Sequence, residues 1–309
     1  MYPTYIIIVA FNGIQWLRKC LDSIDHNKYK VIVIDNNSSD KTVAIVKSNY
    51  PDVHLIINSK NLGFGKANNV GISYALKQGA DRVFLLNQDA YLVEDSLDKL
   101  IKIQKTNSEF GILSPIHVNL DKSRLDKNFS NYVDYSKSPQ FYSDHVLKKD
   151  LKTVYEVPFV NAAGWLVSKK CLMTVGGFDP IFFHYGEDNN YSQRAKFHGF
   201  KIGVLPNSYI IHDREDRITS PVALFSKEYY TNELRKFKVR CADVNNFDDQ
   251  KIKAYKSKFK KQLIKAFVKM DKEKFLNLLA FLKQINKTIP LIESSVSQNK
   301  IARPNYLEL

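Results

Sequence analysis

The 309-residue sequence predicts an α/β fold, a three-layer sandwich around a mostly parallel central sheet with a helical appendage at its C-terminal end. Three observations lead there. Strand-like and helix-like segments alternate through the first quarter, the strand-like segments are unbroken apolar runs, and each of these runs ends in polar residues. Alternation favours parallel strands joined by right-handed helical crossovers. Continuous apolar runs suit strands buried on both faces.

The first such run is "TYIIIVAF" from Thr4, and "IQWLRKCLDSI" follows with apolar residues at helical spacing. "KVIVID" repeats the strand, "NNSSDKT" supplies turn and cap chemistry, and "TVAIVKSNYP" reads as a helix stopped by Pro51. "VHLIIN" is a third strand, "NLGFGKANNVGISYALKQG" a Gly-rich loop entering a helix, and "DRVFLLNQDA" a fourth strand with a polar end. Ligands of such sheets lie beyond the carboxyl ends of the strands. Asn12, Asp35 with Asn36 and Asn37, the stretch 58–65, and Asn87 to Asp89 are therefore expected to face one crevice.

Residues 117–156 are polar with little periodicity and read as a long insertion or mobile loop. "VYEVPFVNAAGWLVSKKCLMTVGGF" predicts a strand and a short helix ended by Gly176 and Gly177. A helix over 186–199 carries Glu187 and Asp188 near its start, and "KIGVLPNSYIIHD" is a closing strand. From 222 to about 289 the pattern is helical, followed by a polar tail.

The apolar run "YIIIVAF" is too short to span a bilayer and begins too early for a signal peptide, so a cytosolic chain is expected. Cys20, Cys171 and Cys241 are scattered without metal-ligand or disulfide spacing, which suits a reducing compartment. The formal charge of +14 is concentrated: residues 225–287 hold 17 Lys/Arg against 7 Asp/Glu. There Ile252, Tyr255, Phe259, Leu263, Phe267 and Met270 share one helical face, and Phe275, Leu278, Leu279, Leu282 and Ile285 repeat the pattern. An anionic membrane surface is the expected partner of this basic block, with packing on the catalytic domain or a second subunit (a homodimer) as the alternatives. Nucleic acid is not expected.

The strand-end carboxylates carry the chemistry. Asp89 can offer oxygen to Mg²⁺ or Mn²⁺ when a diphosphate supplies further ligands, or can serve as a turn or cap residue. Asp35 can accept the imide N–H of a uracil or thymine, or cap the turn that follows it. The Gly-rich loop with Asn61 and Gly63 lets backbone approach a ligand, and Lys66 can meet phosphate. Glu187 and Asp188 can deprotonate and bind a hydroxyl nucleophile, with Trp165, His184 and Tyr185 as aromatic partners for sugar rings; alternatively the pair caps its helix and pairs with Arg194. His212 is either structural or a metal ligand.

Taken together, "IIIVAFN", "VIVIDNNSSDKT", "NLGFGKANNVGI", "FLLNQDA", "GGFDPIFFHYGEDNNYSQRAKFHGFKIG" and "IIH" occur in the order found in family 2 nucleotide-sugar glycosyltransferases of GT-A fold. The chain resembles the bacterial rhamnosyltransferase-like members most, from about Thr4 to Asp213. The resemblance implies a catalytic domain over 1–221, divided into a nucleotide-sugar half (1–116) and an acceptor half (117–221), with 222–309 as the basic helical region. It implies Asp35 at the nucleobase, Asn61 and Gly63 under the nucleoside, Asp89 and His212 at a metal, Asp188 as general base and Glu187 at the acceptor. Asn12, Asn37, Lys66 and Asn87 complete the expected nucleotide site. Asn87 stands where many members carry Asp, and the Q-x-x-R-W signature of processive synthases is missing.

The expected reaction is inverting transfer of one sugar from a nucleoside-diphosphate sugar, dTDP-rhamnose or a UDP-hexose, to a glycan or lipid-linked acceptor, with Mn²⁺ or Mg²⁺. A nucleotidyltransferase is the rival enzyme, although "VAFNGIQWLRK" offers only Arg18 and Lys19 after one Gly where a phosphate loop is needed. A catalytically inactive basic binding module is the rival from another class.

Overall fold

The computed structural model describes residues 3–214 and 221–309. Its N-terminal half runs β1 (Thr4–Ala10), α1 (Ile14–Asp22), β2 (Lys30–Asp35), α2 (Thr42–Asn49), β3 (His54–Ile57), α3 (Phe64–Lys77), β4 (Arg82–Asn87), β5 (Ala90–Leu92), α4 (Ser96–Thr106) and β6 (Phe110–Val118). There follow α5 (Lys127–Ser130), α6 (Pro139–Val146), β7 (Tyr155–Glu156), β8 (Gly164–Ser168), α7 (Lys169–Val175), α8 (Glu187–Phe197) and β9 (Lys201–His212). The helical region is α9 (Lys227–Cys241), α10 (Asp249–Val268) and α11 (Lys272–Asn299). The domain boundary expected at 221/222 adjoins residues 215–220, which lie outside the described residues.

One sheet has the order β3-β2-β1-β4-β8-β6-β9-β5, with β7 also paired to β9. β1 to β4 are parallel, as their apolar runs predict, but β8 enters antiparallel between β4 and β6, so the sheet as a whole is mixed. Successive β1 residues serve opposite layers: Ile7 packs with Ile32 and Ile34 on one face, Ile6 and Ile8 with Val31 and Val33 on the other. Both faces are covered, which is why these strands carry no polar alternation.

Residues 117–156 are an ordered insertion rather than a mobile loop. Asp126 caps α5 by accepting the N–H groups of Asn128 and Phe129, and Phe129, Val133, Phe141 and Tyr155 are buried in the main core. Tyr155 donates to the buried carboxylate of Asp144 at 2.8 Å. The polar composition hid this because the apolar anchors are too widely spaced to give a period.

The C-terminal stripes also differ from expectation. Ile252, Phe259, Leu278, Phe281, Leu282 and Ile285 form a core of their own between α9, α10 and α11, so most of each stripe is consumed by helix packing. The tail after residue 289 is helical to Asn299, running through Pro290, because Ile292 and Val296 are buried. Tertiary burial here outweighs the local cost of an interior proline.

A buried node fastens this region to the sheet domain. One Asp179 oxygen, Oδ2, accepts from Ser295 Oγ (2.5 Å), Asn299 Nδ2 (2.8 Å) and Tyr306 OH (3.2 Å), while Oδ1 accepts the Ile181 N–H at 2.9 Å. Gly176 has φ +86°, and a Cβ there would stand 2.2 Å from the Asn305 carbonyl oxygen, so the "GG" of "VGGFDP" makes room for the C-terminal strap. Asp179→Ala leaves the buried Ser295 and Asn299 donors and the half-buried Tyr306 hydroxyl without their acceptor, a loss of about 2–4 kcal/mol. Thermal unfolding should show a Tm lower by roughly 3–6 °C; a Tm within a degree of wild type would remove the node from the stability of the fold.

Candidate active site

A cavity of about 1780 Å³ opens at the carboxyl ends of β1, β2 and β4. Phe11 follows β1, Asn36 follows β2, Asn61 and Gly63 precede α3, and Asn87 to Asp89 close β4; all line it. The remaining walls come from the insertion (Asp126, Tyr132), the loop and first turn of α8 (Phe183 to Asn189), the end of β9 (His212) with Arg214, and α9 and α10.

The wall at the strand ends is held by an amide network centred on Asn36. Its Nδ2 donates to Asn61 Oδ1 (2.9 Å) and its Oδ1 accepts the Leu62 N–H (2.9 Å), while Asn61 Oδ1 also accepts the Gly63 N–H at 2.8 Å. Gly63 has φ +79°, and a Cβ on it would meet the Phe183 carbonyl oxygen at 1.9 Å, so the Gly-rich loop and the "FFHYG" loop touch through bare backbone. Four residues expected at the nucleotide do not line the cavity. Asp35 is buried with its carboxylate accepting the Ser38 N–H, Asn12 accepts the Ser39 N–H at the surface, and Asn37 and Lys66 are exposed away from the cavity. Asp35 thus makes the turn-capping bond that the sequence allowed.

Glu187 and Asp188 occupy the first turn of α8, behind Gly186 at φ +97°. Burial, reinforced by the neighbouring Asp188 charge, pushes Glu187 up to about 7, and one of its oxygens, Oε2, has no hydrogen-bond partner among the described residues. Burial likewise raises Asp188 to about 6, against the pull of the Asn189 N–H, which it accepts at 2.8 Å. Arg194 does not pair with them: its guanidinium is turned back to the carbonyls of Val175 and Gly177. His184 and Tyr185 lie at the cavity rim with ring centroids 3.9 Å apart, tilted at 43°, and the Arg235 guanidinium lies 5.1 Å over the Tyr185 ring. Trp165 is a correction. Its β8 position turns it into the core, fully buried and stacked on Phe178 at 6.2 Å, where no sugar reaches it.

Asp89 and His212 are brought together by the ladder between β5 and β9, in which Ala90 pairs with His212. His212 Nε2 is 3.7 Å from Asp89 Oδ1, and Nδ1 is 3.6 Å from Asp126 Oδ2. Asp126 also receives a two-point bond from Arg214 at 2.8 and 2.7 Å. Sequence reasoning missed Asp126 and Arg214 because a cap residue in an aperiodic segment carries no mark of a contact 88 residues away.

The sequence profile of glycosyl transferase family 2 matches residues 5–172. The chain belongs to this family. The dTDP-rhamnosyl transferase RfbF of Shigella flexneri is 25% identical over 237 residues, covering 73% of this chain and 76% of that one. Residues 1–349 of S. aureus TarS, solved with UDP, superpose with a TM-score of 0.53 at 16% identity, covering 96% of this chain and 89% of TarS. GalNAc-T7, solved with UDP, GalNAc and Mn²⁺, gives a TM-score of 0.53 at 17% identity over 78% of this chain and 50% of its own. The expected GT-A architecture stands, and the enzyme is a nucleotide-sugar glycosyltransferase of polysaccharide synthesis.

The donor set of this glycosyltransferase fits a divalent cation completed by substrate. Among the described residues no three His, Cys, Asp or Glu are grouped to hold a metal by themselves. One carboxylate and one imidazole 3.7 Å apart can share an ion, and Mg²⁺ or Mn²⁺ at phosphate sites takes few protein ligands.

The raised Glu187 predicts a stability signature. The folded state holds this proton more tightly than the unfolded chain does, so its contribution is complete below the ordinary value of 4.5 and is lost as pH rises through about 7. Glu187→Gln cannot ionise and should therefore gain on wild type with rising pH, by roughly 1–3 kcal/mol at pH 8. Tm differences measured at pH 4.5 and pH 8 check this; equal differences at both would refute a raised Glu187.

Proposed function

We propose that this glycosyltransferase inverts the anomeric centre while moving one sugar, rhamnose from dTDP-rhamnose or a hexose from its UDP form, to a hydroxyl of a phosphate-bearing glycan or lipid-linked acceptor. One observation carries the reading: Asp89 with His212, and Glu187 with Asp188, line the same cavity. RfbF supports dTDP-rhamnose by likeness alone.

Asn61, Gly63 and Asn87 border the nucleotide, with Phe11 and Asn36 beside them. Asp89 and His212 would hold Mg²⁺ or Mn²⁺, which would supply Lewis acidity against the charge of the diphosphate. The Asp126 carboxylate lies 3.6 Å behind the His212 ring, beyond hydrogen-bond distance but on the side where carboxylates stand behind metal-bound histidines. Asp188 takes the proton of the acceptor hydroxyl as its oxygen bonds the anomeric carbon and the bond to the diphosphate breaks. Because attack comes from the face opposite the leaving group, one displacement gives one inversion. Glu187, near half-protonated at neutral pH, can donate to or accept from a second acceptor hydroxyl.

The acceptor wall is cationic. Arg235, Lys236, Arg240 and Lys258 line the cavity from α9 and α10, and Glu233, the one acid these helices place there among the described residues, is engaged by Lys236 (2.8 Å) and Tyr255 (3.2 Å). This charge supports an anionic acceptor. No described helix is long and apolar enough to cross a membrane, and the lysine-rich helices support peripheral attachment to an anionic cytoplasmic surface.

Asp188→Asn should keep donor affinity and lower kcat about 10²- to 10⁴-fold. The acid limb of wild-type kcat/KM should fall near pH 6, where a raised Asp188 becomes protonated. Near-full kcat in Asp188→Asn would take the base role from it. For the metal, calorimetric titration of dTDP and UDP with Mn²⁺ or chelator should show that Asp89→Ala loses only the metal-dependent affinity. Unchanged binding under both conditions would place the metal elsewhere.

A further inference from the structure

α10 and α11 form an antiparallel hairpin whose packed seam leaves a second set of apolar side chains uncovered. Phe259, Ala266, Leu278 and Phe281 fill the seam, whereas Phe267 is 70%, Val268 74% and Met270 91% exposed at the turn. Ile264, Leu276 and Leu279 extend this patch along both helices. The turn is well defined: Met270 (φ +55°) and Asp271 donate to the carbonyls of Phe267 and Ala266 at 3.0 Å, and Asp271 caps α11 through the Lys274 N–H. Residues 260–274 carry six lysines against two acids.

We infer that the tip of this hairpin is a membrane-docking element that seats Phe267, Val268 and Met270 at the boundary of an anionic phospholipid surface, with Lys260, Lys265 and Lys269 facing its phosphates. Exposed apolar groups ringed by lysine match the two components of such a surface, acyl chains and negative headgroups. A second copy of this tip would set the same lysines against each other. The geometry also links the tip to the cavity. Lys258 lines the cavity wall and Phe267 lies nine residues further along the same helix, about 14 Å at 1.5 Å per residue. A docked tip therefore holds the acceptor wall within reach of a sugar carried on a lipid at that surface.

This deepens the reading of peripheral attachment, and its test does not depend on transfer activity. Co-sedimentation of the full chain with phosphatidylglycerol/phosphatidylcholine vesicles should show binding at low salt that is weak at high salt and on pure phosphatidylcholine. The triple change Phe267→Ser, Val268→Ser, Met270→Ser should weaken it at least tenfold while leaving the melting shift on adding dTDP or UDP with Mn²⁺ unchanged. As a second measurement, Met270→Cys carrying an environment-sensitive fluorophore should blue-shift on anionic vesicles; Cys20, Cys171 and Cys241 are buried and leave the label site-specific. Failure of wild type to sediment, equal binding by the triple variant, or a label whose spectrum ignores the vesicles would overturn the inference. So would a wild-type dimer that the triple change converts to monomer, which would make the patch a contact between copies. Loss of nucleotide binding in the wild type would instead count against the functional reading and leave the vesicle result intact.

Discussion

Asp179 is buried at the joint between the sheet domain and the helical region, and its Oδ2 accepts from three side chains 116 to 127 residues away in sequence. A carboxylate taken out of water must be fully hydrogen-bonded, so this position demands Ser295, Asn299 and Tyr306 at once. Meeting that demand sets α11 against the segment that leads into α8. Arg194 reinforces the same joint from within α8, its guanidinium 5.4 Å from the Tyr306 ring. The helix that carries the carboxylate pair is thus tied to α11 and the C-terminal strap through one polar joint.

The cavity depends on this arrangement as much as on the sheet. Strand ends supply one side, and any parallel α/β sheet offers such an edge. The opposite side is built by the insertion, the first turn of α8 and the end of β9, with α9 and α10 held over it. Burial there has a chemical result: Glu187 and Asp188 both bind protons more tightly than ordinary carboxyls, and Arg235, nearby, limits the rise. The first turn of a helix favours the ionised forms, yet desolvation is the larger effect at both residues.

The helical region serves two environments. Its inner faces form a core, one flank lines the cavity, and the hairpin tip remains apolar and uncovered. The lysines that make the sequence so basic lie mainly between these surfaces. Their number is readable from composition, but which apolar residues they surround is not, because a helical stripe looks the same whether it meets another helix or a lipid.

By itself the sequence determined β1 to β4 and α1 to α3, since apolar runs, caps and Gly-rich turns act over a few residues and each local preference agrees with the fold. It also placed Asn61, Gly63, Asn87, Asp89, His184, Tyr185, Glu187, Asp188 and His212, all of which line the cavity. Only the tertiary structure decided that Trp165 is core, that Asp35 caps its own turn, and that Asp126 and Arg214 stand behind His212. It also decided that α11 continues through Pro290. The physical reason is common to these cases. A side chain on a strand has two faces to choose between, and a carboxylate has several partners, and the choice is made by what the rest of the chain packs against each.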